Sequence, residues 1–192
     1  MPVEIPQETS EQLKALRTAE FTALRRTISG RGTARMVIMP VTCALWAALA
    51  VVLFLFGQVS ITGLLPLAVL VAGFEAIHAL HVGAERIGRY LQVHYEAASD
   101  GPRWETAAMT VGPALPGGGV DPLFSAVFVG ATVINMITNL EPLPTWEETA
   151  VIAACHAAFV FRVVRARIAA ARQRAVELES FRALLLRERD RN

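Results

Sequence analysis

Residues 36–56 read MVIMPVTCALWAALAVVLFLF, a run without any charged side chain. A hydrocarbon core about 30 Å thick needs close to 20 helical residues at about 1.5 Å per residue. This stretch therefore predicts a transmembrane helix. Three further apolar stretches have the same length, at residues 63–82, 122–140 and 146–164. The predicted fold is an all-α integral membrane protein, a four-transmembrane-helix bundle with helical cytoplasmic extensions.

The composition supports this class and excludes others. Of the 192 residues, 54% are hydrophobic and only 18% are charged, which exceeds the usual apolar share of a soluble domain. The net charge of +1 gives no field that would attract nucleic acid. Lys14 is the only lysine beside many arginines, which indicates a GC-rich bacterial genome. We expect a protein of the bacterial inner membrane that binds no nucleic acid.

Arginine placement predicts the orientation of the chain. Arginines cluster before the first span, between the second and third spans, and after the fourth. The short loops GQVSIT and EPLPTW contain none. Because Arg and Lys are retained on the cytoplasmic side, both termini are predicted to be cytoplasmic. The acidic N-terminus also differs from a cleavable signal peptide.

Three segments follow from these boundaries. Residues 1–35 predict an N-terminal cytoplasmic amphipathic helix that ends near Gly30-Arg31-Gly32, since glycine favours helix termini. Residues 36–164 form the predicted membrane domain, with a Gly- and Pro-rich cytoplasmic loop at 99–121. Residues 165–192 predict a C-terminal cytoplasmic helix that continues the fourth span. The fourth span begins with Thr145 and Glu148 at capping-box spacing.

Span two contains the most suggestive polar cluster, with Glu75, His78, His81 and Glu85 at helical spacing along one face. Ionisable groups inside a membrane cost about 3 kcal/mol each, so they need partners. Span four offers three such partners, His156, Arg162 and Arg165. The candidate intramembrane site comprises Glu75, His78, His81, Glu85, His156 and Arg162. Glu75 and Arg162 lie at similar depth, which predicts an ion pair.

A second interpretation of the same residues is a metal site. Glu-x-x-His is the spacing by which one helix of a di-iron bundle offers two ligands, and these ligand types also suit zinc and manganese. The hypothetical ligands are Glu75, His78, His81 and Glu85. Span four lacks a second Glu-x-x-His, so another helix or subunit would have to complete the shell.

A third interpretation is a proton path, because Glu and His chains recur in proton-moving membrane proteins. Asn135, Thr138 and Asn139 on span three would line it, although the outer half of the bundle has few polar residues. Nucleophilic and phosphate-binding motifs are absent from the sequence, which argues against an enzyme of those classes.

Two further patterns indicate helix association. Small residues on span two, among them Gly73, and Gly130 on span three permit close helix packing. Apolar residues follow a four-three spacing along the continuation of span four, interrupted by Arg182, which predicts that the cytoplasmic helical extensions pack on one another as a stalk: Val164, Ile168, Ala171, Ala175, Leu178 and Leu185. We expect an inner-membrane scaffold or interaction subunit that forms a homo-oligomer or binds a membrane-protein partner in the lipid bilayer. The alternative is a metal-binding membrane protein.

Overall fold

A computed structural model of the chain describes residues 7–56, 60–97, 103–111, 122–139 and 144–190. Within these ranges the chain is helical and forms no strand. The helices are α1 (Gln7–Leu55), α2 (Leu64–Leu91), α3 (Trp104–Val111), α4 (Pro122–Thr138) and α5 (Trp146–Arg189). A 3-10 turn at Ser60–Gly63 precedes α2, and a π-helical segment at Gln92–Glu96 continues it.

Three helical stretches of the described chain are long and apolar enough to cross a membrane. They are Thr9–Leu55, Ile61–Glu96 and Trp146–Ala170. The apolar helix Phe124–Thr138 is shorter, and residue 140, where the predicted third span ends, lies outside the described residues. The all-helical class and a membrane-compatible surface are therefore found, whereas the count of membrane-length helices is lower than the predicted four.

Helix α1 runs without interruption through Gly30 and Gly32, so the predicted helix end near Gly30-Arg31-Gly32 is wrong. Each glycine in a helix costs about 1 kcal/mol relative to alanine, which tertiary contacts can offset. Such contacts occur on both sides of the pair: Arg25 bonds Glu105 of α3, and Arg35 bonds His81 of α2. The helix is held at both ends of the weak stretch.

Glycines on α2 let α1 approach closely. A Cβ on Gly73 would overlap the Thr42 side chain, and one on Gly83 would overlap the guanidinium of Arg31. Gly73 therefore occupies a close helix contact, as the small-residue pattern predicts. Gly130 on α4 faces open space, so its small size serves no packing contact among the described residues.

Helix α5 begins with the predicted capping box, in which Thr145 accepts from the Glu148 amide and Glu148 accepts from the Thr145 amide. The apolar row at four-three spacing does not begin on the buried face of this helix. Val163 and Ala166 are buried, whereas Val164 and Ile168 are 46% and 59% exposed. In a membrane protein, apolar side chains suit the lipid face as well as the core, so apolar spacing alone does not identify the inward side.

The core lies where α2, α4 and α5 meet. Phe74 contacts Phe128 and Phe159 edge to face, with ring centroids 5.4 Å and 5.8 Å apart. Leu70 and Val163 complete this layer and are almost fully buried. The aromatic layer divides the bundle into a basic end, where the arginines of α1, α2 and α5 lie, and an opposite end near Gly63.

Candidate functional site

The ion pair expected between span two and span four is present. Arg162 of α5 donates to Glu75 Oε2 of α2 at 2.8 Å. The Arg162 guanidinium also lies 5.7 Å from the centroid of the Phe74 ring. The two side chains are about two-fifths exposed, at 41% and 42%. The pair thus lies on the outer surface of the bundle, where neutralising both charges lowers the cost of contact with an apolar environment.

A larger charge network joins α2 to α5 beyond this pair. Arg89 is 1% exposed and donates to Glu85 at 3.1 Å and to Glu177 at 2.9 Å. Arg174 donates to the same Glu85, and Arg86 donates to the same Glu177. Each carboxylate therefore bridges two guanidiniums, and the buried charge of Arg89 is fully paired. Sequence spacing placed Glu85 in the candidate site but did not identify its arginine partners.

His81 is connected to α1 rather than to a metal-binding neighbour. Its Nδ1 lies 2.7 Å from Arg35 Nη1. A guanidinium can only donate, so Nδ1 accepts this hydrogen bond and a neutral ring carries its proton on Nε2. That Nε2 lies 3.6 Å from Glu85 Oε1 but has no hydrogen-bond partner, although it is buried. Arg35 Nε is likewise buried without a partner.

A cavity of about 330 Å³ opens beside these two residues. His78 lines it and stacks on Phe74 with ring centroids 5.7 Å apart. Two arginines also face it, Arg35 from α1 and Arg167 from α5. The remaining walls are apolar apart from Ser125, and are formed by Met36, Phe74, Ile77, Phe124, Phe128, Val163, Ala166 and Ala170.

The four hypothetical metal ligands do not converge in the described structure. Glu75 is paired with Arg162, and Glu85 is paired with Arg89 and Arg174. No group of three or more His, Cys, Asp or Glu side chains in the described ranges is arranged to hold a metal ion. The metal interpretation gains no support, because the carboxylates that it requires already neutralise arginines.

His156 lies at the opposite end of the bundle, in a closed hydrogen-bond network. Its Nδ1 lies 2.7 Å from the Ile152 carbonyl oxygen, and its Nε2 lies 3.0 Å from Asn135 Nδ2. The Asn135 amide also donates to the Gly63 carbonyl and accepts from Trp46 Nε1. Asn135 thus joins α4 to α1, α5 and the start of α2. This arrangement explains the buried histidine without any chemical role.

The side chains proposed for a proton path are separated from the Glu/His cluster. Asn135 is engaged in the network just described, and Thr138 donates to the Asn135 carbonyl. The aromatic layer of Phe74, Phe128 and Phe159 lies between Asn135 and His78. No continuous polar connection crosses this layer among the described residues, so the proton-path interpretation is not supported.

Outside the apolar stretches, α1 is attached to the end of α2 by tyrosines. Tyr90 and Tyr95 donate to the two oxygens of Glu20 at 2.9 Å and 2.6 Å. The hydrogen bond from Tyr95 is the largest cause that lowers the pKa of Glu20, followed by that from Tyr90. Burial and the hydrogen bond that Tyr90 itself donates to Glu20 raise the pKa of Tyr90 to about 12. The pattern of the sequence did not reveal this contact, since the residues lie far apart in the chain.

The short helix α3 is attached to the same region. Glu96 accepts from the backbone amides of Glu105 and Thr106 at 2.6 Å and 2.8 Å, which satisfies free amides of the first turn. Arg25 of α1 donates to Glu105 at 2.6 Å. Burial raises the pKa of Glu105 although Arg25 opposes this shift. The helices beyond the apolar stretches therefore form one connected charged assembly.

Comparisons of this chain with protein-family models, with curated proteins and with solved structures found no match. Functional inference therefore rests on the geometry of the described residues.

Proposed function

We propose that the chain is a four-span protein of the bacterial inner membrane, with its basic end and both termini in the cytoplasm. Helix α4 supplies the remaining span. It has 17 residues, or about 25 Å at 1.5 Å per residue, which local thinning of the bilayer can accommodate. Its exposed side chains Val133, Ile134 and Ile137 are apolar, as a lipid-facing surface requires. The arginines of α1, α2 and α5 lie at a single end of the bundle, which agrees with the positive-inside rule.

Within that membrane, the protein acts as a scaffold subunit that self-associates through α5. The observation that carries this proposal is an exposed row of apolar side chains at heptad spacing on the outer face of that helix. Its members are Ala150, Ala154, Ala157, Phe161, Val164, Ile168 and Ala175. We call this row the α5 seam. Heptad spacing is the pattern by which helices pair in a coiled coil.

The α5 seam extends beyond the part that lipid can cover. Arg165, Arg167 and Arg172 mark the level at which the helix leaves the hydrocarbon core. Ile168 is nevertheless 59% exposed at this level, and Ala175 is exposed further on. A contiguous apolar surface in water favours association with another protein. Lipid alone accounts for the seam only at its membrane-embedded end.

A second copy of this chain fits the seam better than an unrelated helix. Two copies have the same orientation in one membrane, so their α5 helices are parallel and present identical positions to each other. The membrane-embedded part of the seam begins with Ala150, Ala154 and Ala157, whose small side chains allow the close backbone approach on which membrane helices depend, and continues with Phe161 and Val164. The seam is thus self-complementary along its length.

Cysteine cross-linking tests this proposal residue by residue. Cys155 is exposed on α5 but lies off the seam, so it serves as a natural control once Cys43 is replaced by alanine. In a background without cysteines, Ala157→Cys and Val164→Cys should form disulfide-linked dimers in membranes under mild oxidation. Cys155 and Ala169→Cys should not, because a disulfide requires Cα atoms within about 7 Å. Equal cross-linking at seam and control positions would contradict the proposal.

A further inference from the structure

The cavity at the basic end has an electrostatic character that suits one class of ligand. Arg35 and Arg167 face it, His78 and His81 line it, and no Asp or Glu is among the described residues that line it. A cation-lined cavity without a carboxylate attracts an anion and offers no partner to a positive group. The ligand is therefore expected to carry a net negative charge.

One polar atom beside the cavity lacks a partner. Arg35 Nε is buried and makes no hydrogen bond with any described residue. As part of a guanidinium it can only donate. Buried polar groups are almost always hydrogen-bonded, so an unsatisfied donor beside a cavity indicates an acceptor that none of the described residues supplies. Phosphate oxygens match this requirement, because guanidinium binds them with strong charge-assisted hydrogen bonds.

The rest of the cavity suits a hydrocarbon chain. Phe74, Phe124 and Phe128 form its aromatic walls, together with aliphatic side chains of α1 and α5. Arg35 directly precedes the apolar stretch at 36–56, and Arg167 lies three residues after the end of the one at 146–164. The two guanidiniums thus lie at the level where a bilayer places its phosphate groups, and the apolar walls begin where the acyl chains begin.

We infer that this cavity is a binding site for an anionic phospholipid, whose phosphate is held by Arg35 and Arg167 and whose acyl chain lies against the phenylalanines. The inference rests on the proposed membrane location but not on pairing through the α5 seam. A free phosphate would satisfy the guanidiniums but would leave the apolar walls without a partner. A zwitterionic lipid would place its ammonium group in a cavity whose described lining contains no carboxylate.

The test measures stabilisation of the purified full-length protein in a non-ionic detergent. Dioctanoyl phosphatidylglycerol, dioctanoyl phosphatidylcholine and inorganic phosphate are each titrated while Tm is followed by tryptophan fluorescence, because a ligand that binds only the folded state raises Tm. The charge variants are Arg35→Gln and Arg167→Gln. Arg165→Gln is the matched control, because Arg165 is exposed on the same helix but does not line the cavity.

Phosphatidylglycerol is expected to raise Tm. Phosphatidylcholine and inorganic phosphate at the same concentrations are expected to have little effect. Each cavity variant should weaken the apparent affinity by about fivefold to tenfold, as the loss of one charge-assisted contact predicts. Arg165→Gln should behave as the wild type. Ala170→Phe, which fills the cavity and leaves every charge in place, should also abolish the rise, and its Tm without lipid reports whether it folds.

Four outcomes would overturn the inference. Equal weakening by Arg165→Gln would show diffuse attraction to a basic surface. An equal effect of inorganic phosphate would show a site for the free anion. Equal effects of the two lipids, or an unchanged response in a folded Ala170→Phe variant, would show that the cavity does not select the lipid. The oligomeric state of each variant is measured separately, so failure of this site is distinguishable from failure of the α5 seam.

Discussion

Replacing Arg89 should destabilise the bundle far more than replacing Arg86, although both lie on α2 and both bond Glu177. Arg89 is 1% exposed and donates three hydrogen bonds to two carboxylates, at 2.9 Å, 3.1 Å and 3.2 Å. Arg86 is 57% exposed and bonds one carboxylate among the described residues, that of Glu177. Breaking a buried ion pair typically costs about 3–5 kcal/mol, whereas an exposed pair contributes about 0–1 kcal/mol.

For Arg89→Gln we expect a loss of about 3 kcal/mol, at the lower end of that range, because Arg174 and Arg86 remain to neutralise the carboxylates. In a chain of 192 residues, each kcal/mol changes Tm by about 2–4 °C, so Tm should fall by about 6–12 °C. Thermal unfolding in detergent, followed by tryptophan fluorescence, measures this shift. Arg86→Gln should change Tm by less than about 4 °C. An equal or larger loss in Arg86→Gln would refute the assignment of Arg89 as the buried centre of the network.

Three further predictions follow from other contacts. Gly73→Val should lower the free energy of unfolding by about 1–3 kcal/mol because its side chain meets α1, whereas Gly130→Ala on an open face should not lower it; chemical denaturation compares the two. The pKa of Glu20 is lowered below its ordinary 4.5. The contribution of Glu20 to stability is therefore present above about pH 4.5 and is lost as pH falls through the lowered pKa. Tyr95→Phe should flatten this pH dependence of Tm. Arg172→Gln should increase cross-linking along the α5 seam, and added salt should act in the same direction, because the seam brings arginines of two copies near each other; an unchanged yield would contradict the parallel arrangement.

The helical class and the ion pair between span two and span four were predictable from sequence. Hydropathy identifies apolar helices because backbone groups in lipid must bond internally. The Glu75–Arg162 pair follows from counting depth along two helices, since an ionisable group at that level needs a partner. The capping box at Thr145 and Glu148 depends only on neighbours in the chain and is confirmed.

The features that sequence reasoning missed depend on tertiary contacts. Gly30 and Gly32 resemble a helix end locally, but contacts of Arg25 and Arg35 hold α1 together across them. The inward face of α5 is set by Val163 and Ala166 and by pairing of its charges with α2, not by the densest apolar row. Arg89 and Glu177 are separated by 88 positions, so no local spacing indicates that they meet.

The native mass of the protein in lipid nanodiscs tests the central claim most directly, because it counts the chains in each particle. One chain has a mass of 20.8 kDa. Self-association through the α5 seam predicts twice that mass for the wild type, and a return to the single-chain mass for Ile168→Glu with its helical content unchanged. A wild-type protein that keeps the mass of one chain at every concentration would contradict the account.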